Sequence, residues 1–225
     1  MNIFSNVSGK FLTASNSLLL LLVVFTIFII PFFPVELHRI FYSICFTFIF
    51  LLSALALSKD RSRVFQIALI VITVEWLSQL LNLSILITIS SLTNIVFFDL
   101  IVILFILQIA RAKTVTPRVI MESINGYLML GMSFSILIAL ICMIDPNAFS
   151  FKHLSETMDP TLSYVSNYIY FGFVTLSTLG YGDIVPLTPA ARSLAIFTSI
   201  TGQMYVAIII AALVSKYLSQ PKKNN

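Results

Sequence analysis

The chain has 225 residues, of which 59% are hydrophobic and only 10% are charged. This composition excludes an ordinary soluble domain and indicates an integral membrane protein. Its 13 Lys and Arg residues exceed its 9 Asp and Glu residues, but they form no single patch or stripe, so nucleic-acid binding is excluded as a function class. Cys45 and Cys142 lie inside apolar runs, where a cysteine is usually a small buried hydrophobic residue.

Six apolar runs are long enough to cross a bilayer core, which takes roughly 20 residues of helix. In chain order the predicted spans are residues 17–34, 38–58, 64–83, 86–109, 119–144 and 190–217. The stretch QLLNLS, residues 79–84, must then turn the chain tightly between the third and fourth spans. The sequence thus predicts an all-α integral membrane protein whose first four spans precede a different C-terminal arrangement.

The distribution of basic residues predicts the orientation. With both termini in the cytoplasm, ten of the 13 Lys and Arg residues lie on the inner side, and only Arg39, Lys152 and Arg192 lie outside. This is the bias expected of a multi-pass membrane protein. The two histidines, His38 and His153, then lie in outer segments and are expected to be solvated.

Residues 145–189 are too many for a simple turn and too aromatic for a solvated loop. Within them the stretch SYVSNYIYFGFVTLS, residues 163–177, predicts a helix that is too short to span. A half-span is tolerated at membrane depth only where protein or a water-filled path surrounds it. The predicted orientation makes this helix enter from the outer side.

The stretch TLGYGD follows that helix, where the backbone loses its helical hydrogen bonds inside the membrane. Gly180 and Gly182 can adopt positive φ, which lets successive carbonyl groups point toward one axis. A dehydrated cation is a suitable partner for these carbonyls, and Thr178 adds a hydroxyl at the inner end. Four such loops around an axis would replace the hydration shell of the ion with stacked rings of oxygen atoms.

The segment TLSTLGYGD, placed between two spans, resembles the signature sequence of potassium channels. Residues 119–217 resemble the outer helix, pore helix and inner helix of small bacterial potassium channels with six spans. The first four spans resemble that family only by count and topology.

This resemblance implies a homotetramer in the plasma or inner membrane that conducts K⁺ passively, with membrane lipids as neighbours, no cofactor and no enzymatic activity. It places K⁺ at the carbonyl oxygens and hydroxyl of the selectivity filter, and Asp183 at the outer mouth. The implied filter residues are Thr178, Leu179, Gly180, Tyr181 and Gly182, with K⁺ at the first four.

Two positions depart from the common pattern of the family. Leu179 stands where valine is usual, which should change packing rather than selectivity. Val174 stands where some members carry a glutamate, so Asp183 lacks that carboxylate partner. Gly202, in the middle of the last span, is either a gating hinge or a site of close helix packing, which small residues allow.

The resemblance divides the chain as follows: a cytoplasmic N-terminus (1–16), a four-helix unit (17–110), a cytoplasmic linker (111–118), a pore domain (119–217) and a cytoplasmic tail (218–225). The four-helix unit occupies the position of a voltage sensor. The fourth span contains no arginine or lysine, so steep voltage gating is not expected.

Glu75 and Asp99 lie near the centres of their spans, where a charged side chain is costly. They are interpreted either as neutral carboxyl groups hydrogen-bonded to neighbours such as Asn94 or Ser78, or as a protonation or cation site.

Two other functions stay open from the sequence. A nonselective cation channel would more often lack the tyrosine found at position 181. A potassium transporter built from related units would need further loops of this kind, and the chain has one.

Overall fold

The structure is a computed structural model that describes residues 3–57, 61–81, 84–151 and 160–219. Within these residues the chain is almost entirely helical, as predicted. The elements in chain order are α1 (Ile3–Val24), α2 (Val35–Ala56), α3 (Arg61–Leu80), α4 (Ser84–Arg111), α5 (Pro117–Ile144), β1 (Phe149–Phe151), α6 (Pro160–Leu176), β2 (Ile184–Pro186) and α7 (Pro189–Leu218).

Five helical segments in the described residues are long and apolar enough to cross a membrane. They are Ala14–Phe32, Val35–Ala56, Ile89–Arg111, Pro117–Ile144 and Pro189–Leu218, and they match five of the six predicted spans. The remaining predicted span, residues 64–83, coincides with α3, which has 20 residues. Because α3 is not among these five segments, a sixth span stays a prediction.

Proline sets the end of the first spanning segment. After α1 the chain widens into a π-helical turn, Phe25–Ile29, and then tightens into a 3-10 turn, Ile30–Phe32. Pro31 lies in that last turn and Pro34 follows it, and neither has an N–H with which to continue a helix. Helix α2 therefore starts afresh at Val35.

The prediction that His38 is solvated is wrong. Its side chain is buried, with Nε2 2.9 Å from the carbonyl oxygen of Phe33 and the imidazole packed edge-on against Tyr42. Position 38 lies in the first turns of α2, and the turn at Phe33 brings a backbone acceptor within its reach. His153 lies outside the described residues. Cys45 and Cys142 are free and buried, as predicted.

The chain divides into two compact units, whose described parts lie within residues 1–26 and 43–126 for the first and residues 27–42 and 127–225 for the second. In the first unit α3 packs against α4, where the hydroxyls of Ser78 and Ser90 lie 3.1 Å apart. Phe50 of α2 stacks on Phe98 of α4 with ring centroids 6.2 Å apart. The domain boundaries predicted from the sequence stay predictions.

In the second unit a small antiparallel pair of strands accompanies the helices. Strand β1 pairs with β2 so that Phe149 lies opposite Pro186 and Phe151 opposite Ile184. Phe149 also packs edge-on against Phe171 of α6, with ring centroids 5.2 Å apart. Buried residues from α5, β1, α6, α7 and the turn before β1 form one apolar cluster here: Ile138, Cys142, Ala148, Phe149, Phe171 and Ala191. Ile184 of β2 packs against this cluster, which therefore contacts both α6 and β2.

Candidate functional site

Helix α6 confirms the predicted short helix, since it runs from Pro160 to Leu176 against the predicted 163–177. Two glycines allow it to pack closely on α5. A Cβ on Gly172 would overlap the Ser135 hydroxyl, and a Cβ on Gly131 would overlap the ring of Phe173. The 17 residues of α6 are too few to cross a bilayer core of about 30 Å.

The end of α6 is capped by a Schellman motif. The N–H of Thr178 bonds the carbonyl of Thr175 at 2.9 Å, and the N–H of Leu179 bonds that of Val174 at 2.9 Å. This motif requires a left-handed residue at its centre, and Thr178 supplies it with φ of 61°. Glycine is the usual choice at such a position, so a threonine here keeps a hydroxyl at the cost of backbone strain.

The glycines of the loop adopt the predicted conformation. Gly180 has φ of 57° and Gly182 has φ of 76°, while Thr178 is the one other described residue with positive φ. Positive φ therefore alternates along residues 178–182, and the negative-φ positions between are Leu179 and Tyr181. The sequence predicted the two glycines, and it missed Thr178 because a β-branched residue normally avoids this region.

The N–H groups of the loop are directed back toward α6. The Gly180 N–H reaches the carbonyl of Val174 at 3.3 Å, which also accepts from the Leu179 N–H, while the Thr178 N–H donates to Thr175. These three N–H groups therefore bond carbonyl oxygens of α6 and not those of residues 178–181. At membrane depth a carbonyl oxygen that lacks an N–H donor needs a ligand in its place.

The side chains of this loop lie open. Tyr181 is 68% exposed and Leu179 is 55% exposed, although both are large and apolar. The Thr178 hydroxyl accepts a 3.1 Å hydrogen bond from Nε2 of Gln203 on α7. The sequence singled out all the loop residues but not Gln203.

Asp183, predicted at the outer mouth, accepts a hydrogen bond at each of its carboxylate oxygens. Its Oδ2 accepts from the Tyr170 hydroxyl at 2.6 Å, and its Oδ1 accepts from the Ile184 N–H at 3.0 Å. Tyr170 lies one turn before Val174, the position at which the sequence lacks a carboxylate partner for Asp183. The hydrogen bond to Asp183 raises the pKa of the Tyr170 hydroxyl to about 12.

Gly202, the predicted hinge or packing residue, is buried against the end of α6. A Cβ at this position would overlap the carbonyl oxygen of Leu176. The glycine therefore lets α7 approach the last turn of α6, where the loop begins. This contact gives the packing interpretation a specific cause, and the hinge interpretation stays a prediction.

Glu75 on α3 and Asp99 on α4 are both partly buried and belong to the first unit, apart from the loop residues of the second. The Ser78 hydroxyl, a suggested partner, donates to the backbone carbonyl of Glu75 at 2.8 Å rather than to its carboxylate. The Oδ1 atom of Asn94, the other suggested partner, is buried and accepts no hydrogen bond from the described residues. The roles of both acids stay predictions.

One fully buried acid that the sequence did not single out, Glu122, also lies in the first unit. Glu122 on α5 is 2% exposed, and its Oε1 accepts hydrogen bonds from Arg118 Nε at 2.8 Å, Asn16 Nδ2 at 3.2 Å and Gln108 Nε2 at 3.3 Å. The pair Arg118 and Glu122, four residues apart at the start of a span, was the available sequence signal. The cluster connects α1, α4 and α5.

The fold and this site define a membrane protein with a short helix followed by a loop of alternating backbone conformation. Comparison with known proteins agrees with that class: residues 136–219, less than half of the chain, match a family described as ion channels. No solved structure gives a significant match.

Three curated relatives are potassium channels by name. The chain is 44% identical over 54 residues to two pore potassium channel c of Oryza sativa subsp. japonica, which is 24% of this chain and 12% of the relative. It is 42% identical over 50 residues to the voltage-gated potassium channel Kch of Escherichia coli (strain K12), or 22% of this chain and 12% of the relative.

The third, two-pore potassium channel 4 of Arabidopsis thaliana, is 44% identical over 50 residues, which is 22% of this chain and 18% of that protein. The aligned segments thus cover less than a fifth of each relative. Together these similarities support a potassium-channel pore-domain family for the C-terminal part of the chain.

Proposed function

We propose that this chain is a potassium-selective ion channel that conducts K⁺ passively, with Thr178, Leu179, Gly180, Tyr181 and Gly182 as the selectivity filter. The observation that carries the proposal is the backbone of residues 178–182, where positive φ alternates and the N–H groups of Thr178, Leu179 and Gly180 bond back to α6. Such a backbone leaves carbonyl oxygens for a dehydrated cation. The similarity to named potassium channels supports K⁺ as that cation.

A homotetramer is proposed because one chain contributes one loop. In the single chain Leu179 and Tyr181 stand exposed, and the loop cannot face lipid because its carbonyls would lack partners there. Only 22% of the most apolar stretch of α7 is buried within the single chain. Four copies around one axis would cover the loop and the side of α7 nearest to it.

The membrane and the orientation are also proposals. Ten basic residues on one side against three on the other favour cytoplasmic termini, and this arrangement requires α3 to be the sixth span. The loop then opens to the outside of the cell membrane.

Ion flux from the purified full chain in liposomes tests the function. Potassium and rubidium gradients are expected to drive flux, and a sodium gradient to drive little. Equal flux of Na⁺ and K⁺ would indicate a nonselective cation channel, and no flux without a further protein would favour a transporter subunit. Native mass determination in mild detergent tests the assembly, and active monomers or dimers would contradict the tetramer.

A further inference from the structure

One side chain of α7 reaches the loop. Gln203 Nε2 donates a 3.1 Å hydrogen bond to Oγ1 of Thr178, and the two residues are 25 positions apart in the chain. Gln203 is the single amide residue of α7, and every residue from Met204 to Val214 except Tyr205 is apolar. A polar side chain is thus placed at this position of an otherwise apolar stretch.

The position of Gln203 follows from the contact that its neighbour Gly202 makes with α6. Gly202 lacks the Cβ that would overlap the Leu176 carbonyl oxygen, so α7 lies directly against the last turn of α6. Residue 203 is therefore the next along α7 from the point of closest approach, and Thr178 is two residues beyond the end of α6. A long amide side chain bridges the remaining distance.

Thr178 is a residue that needs such support. It has φ of 61° at a position of the helix cap where glycine is favoured. A residue in this conformation persists only where its surroundings over-determine it. The Thr175 carbonyl restrains its backbone through the 2.9 Å bond to its N–H, and Gln203 restrains its side chain.

The chemistry of the hydroxyl gives this restraint a consequence. A threonine oxygen has one proton to donate and two lone pairs to accept with. The Gln203 N–H occupies one lone pair, which fixes the rotation of the hydroxyl and leaves the second lone pair for a cation. Without the amide, the hydroxyl is free to rotate its proton toward the ion.

We propose that Gln203 is a positioning residue that holds the Thr178 hydroxyl in its cation-accepting orientation and thereby sets the cation preference at the inner end of the filter. This inference rests on the proposed function, because it assigns Thr178 to the ion path. It concerns the interaction of two side chains and not the existence of the channel.

The test compares Gln203→Met with Met204→Leu in the full chain in liposomes. Gln203→Met keeps the length of the side chain and removes the donor, while Met204→Leu changes the exposed neighbour on the same helix. In Gln203→Met we expect the ratio of K⁺ to Rb⁺ permeability to change by about twofold to tenfold, the scale of one hydrogen bond. Met204→Leu should keep the wild-type ratio.

A double variant separates positioning from a general structural role. In a Thr178→Ala background, which has no hydroxyl, Gln203→Met should change the permeability ratio no further. A full additional change in that background would overturn the proposal. If Thr178→Ala abolishes flux, the comparison of Gln203→Met with Met204→Leu tests the inference. A wild-type permeability ratio in Gln203→Met would then overturn it.

Failure of the inference is distinguishable from failure of the proposed function. A wild-type chain that passes no K⁺ would overturn the proposed function and this inference with it. A wild-type chain that passes K⁺, together with an unchanged ratio in Gln203→Met, would overturn the inference alone.

Discussion

The hydroxyl of Tyr170 donates a 2.6 Å hydrogen bond to Oδ2 of Asp183, across 13 residues of chain that include the whole candidate filter. Tyr170 belongs to α6, which precedes the loop, and Asp183 directly precedes β2, which follows it. The bond therefore ties the C-terminal end of the loop to the helix that caps its N-terminal end. Loop conformation and helix position are coupled through this contact.

The Tyr170 contact predicts a pH dependence. The hydrogen bond to Asp183 is the main reason that the pKa of Tyr170 rises from 10.0 to about 12. A raised pKa in the folded state means that the bond contributes its full stability below pH 10 and loses it as the pH rises through about 12. An alkaline absorbance titration of tyrosinate in Tyr170→Phe should lack a component that wild type shows around pH 12.

Asp183→Asn provides the matching control, since it removes the charged acceptor and keeps the side-chain size. Tyr170 should then titrate at lower pH than in wild type, because its neutral form is less favoured. Identical high-pH titrations of wild type and Asp183→Asn would show that the bond does not form in the membrane-embedded protein.

Gly180→Ala should abolish the preference for K⁺ over Na⁺ while leaving insertion and folding intact. In the described chain no atom lies within 4 Å of a Cβ at this position, so the substitution causes no clash. The strain comes from φ of 57°, which costs a residue with a Cβ about 1–2 kcal/mol. Relaxing that strain should turn the carbonyl away from its direction in wild type. Permeability ratios in liposomes measure the effect.

Gly172→Ala is the contrasting variant. There the added Cβ would meet the Ser135 hydroxyl, so the expected effect is a loss of stability in a thermal unfolding assay rather than a specific loss of selectivity. Wild-type permeability ratios in Gly180→Ala would show that this loop does not select the ion.

The sequence predicted the parts of the site that depend on local chemistry. A run without helix-breaking proline predicted the short helix, and Gly180 and Gly182 predicted the positive φ values. The antiparallel pair of β1 and β2 was missed because its two strands of three residues pair across the whole of α6 and the loop. Neither strand has enough length to produce an alternating pattern.

The missed polar contacts share one cause. Gln203 reaches Thr178 across 25 residues, and Asn16 reaches Glu122 across 106. Each partner is an ordinary polar residue in its own segment, and only the packing of separate helices brings them together. The left-handed conformation of Thr178 was missed for the opposite reason, since local preference argued against it and the cap of α6 overrides that preference.

Gly202→Ala discriminates the two interpretations of that glycine through the sign of its effect on stability. Helix propensity alone would stabilise the alanine variant by about 1 kcal/mol. The overlap of its Cβ with the Leu176 carbonyl oxygen should instead destabilise it by about 1–3 kcal/mol and reduce K⁺ flux. Thermal unfolding in detergent measures the sign. A stable variant with altered open probability and unchanged selectivity would support the hinge.

Glu122→Gln should lower the free energy of unfolding by about 1–3 kcal/mol, because the buried carboxylate accepts three side-chain hydrogen bonds, one of them from Arg118 at 2.8 Å. Chemical unfolding in detergent measures the change. Glu36→Gln is the control, since Glu36 is an exposed acid in the first turn of α2, and its effect should stay within about 0.5 kcal/mol. Equal effects of the two substitutions would contradict a structural role for the Glu122 cluster.

Conductance should vary only shallowly with membrane potential. Moving one elementary charge across the membrane yields about 2.3 kcal/mol per 100 mV, and steep gating uses several such charges in each subunit. The one basic residue of α4 is Arg111, in its last turn, and Asp99 is its one acid. Even an ionised Asp99 supplies a single charge of opposite sign. Current–voltage records from planar bilayers, with Asp99→Asn as the matched variant, measure the steepness. A steep curve that persists in Asp99→Asn would require a charge carrier outside α4, because that variant leaves only Arg111 charged on this helix.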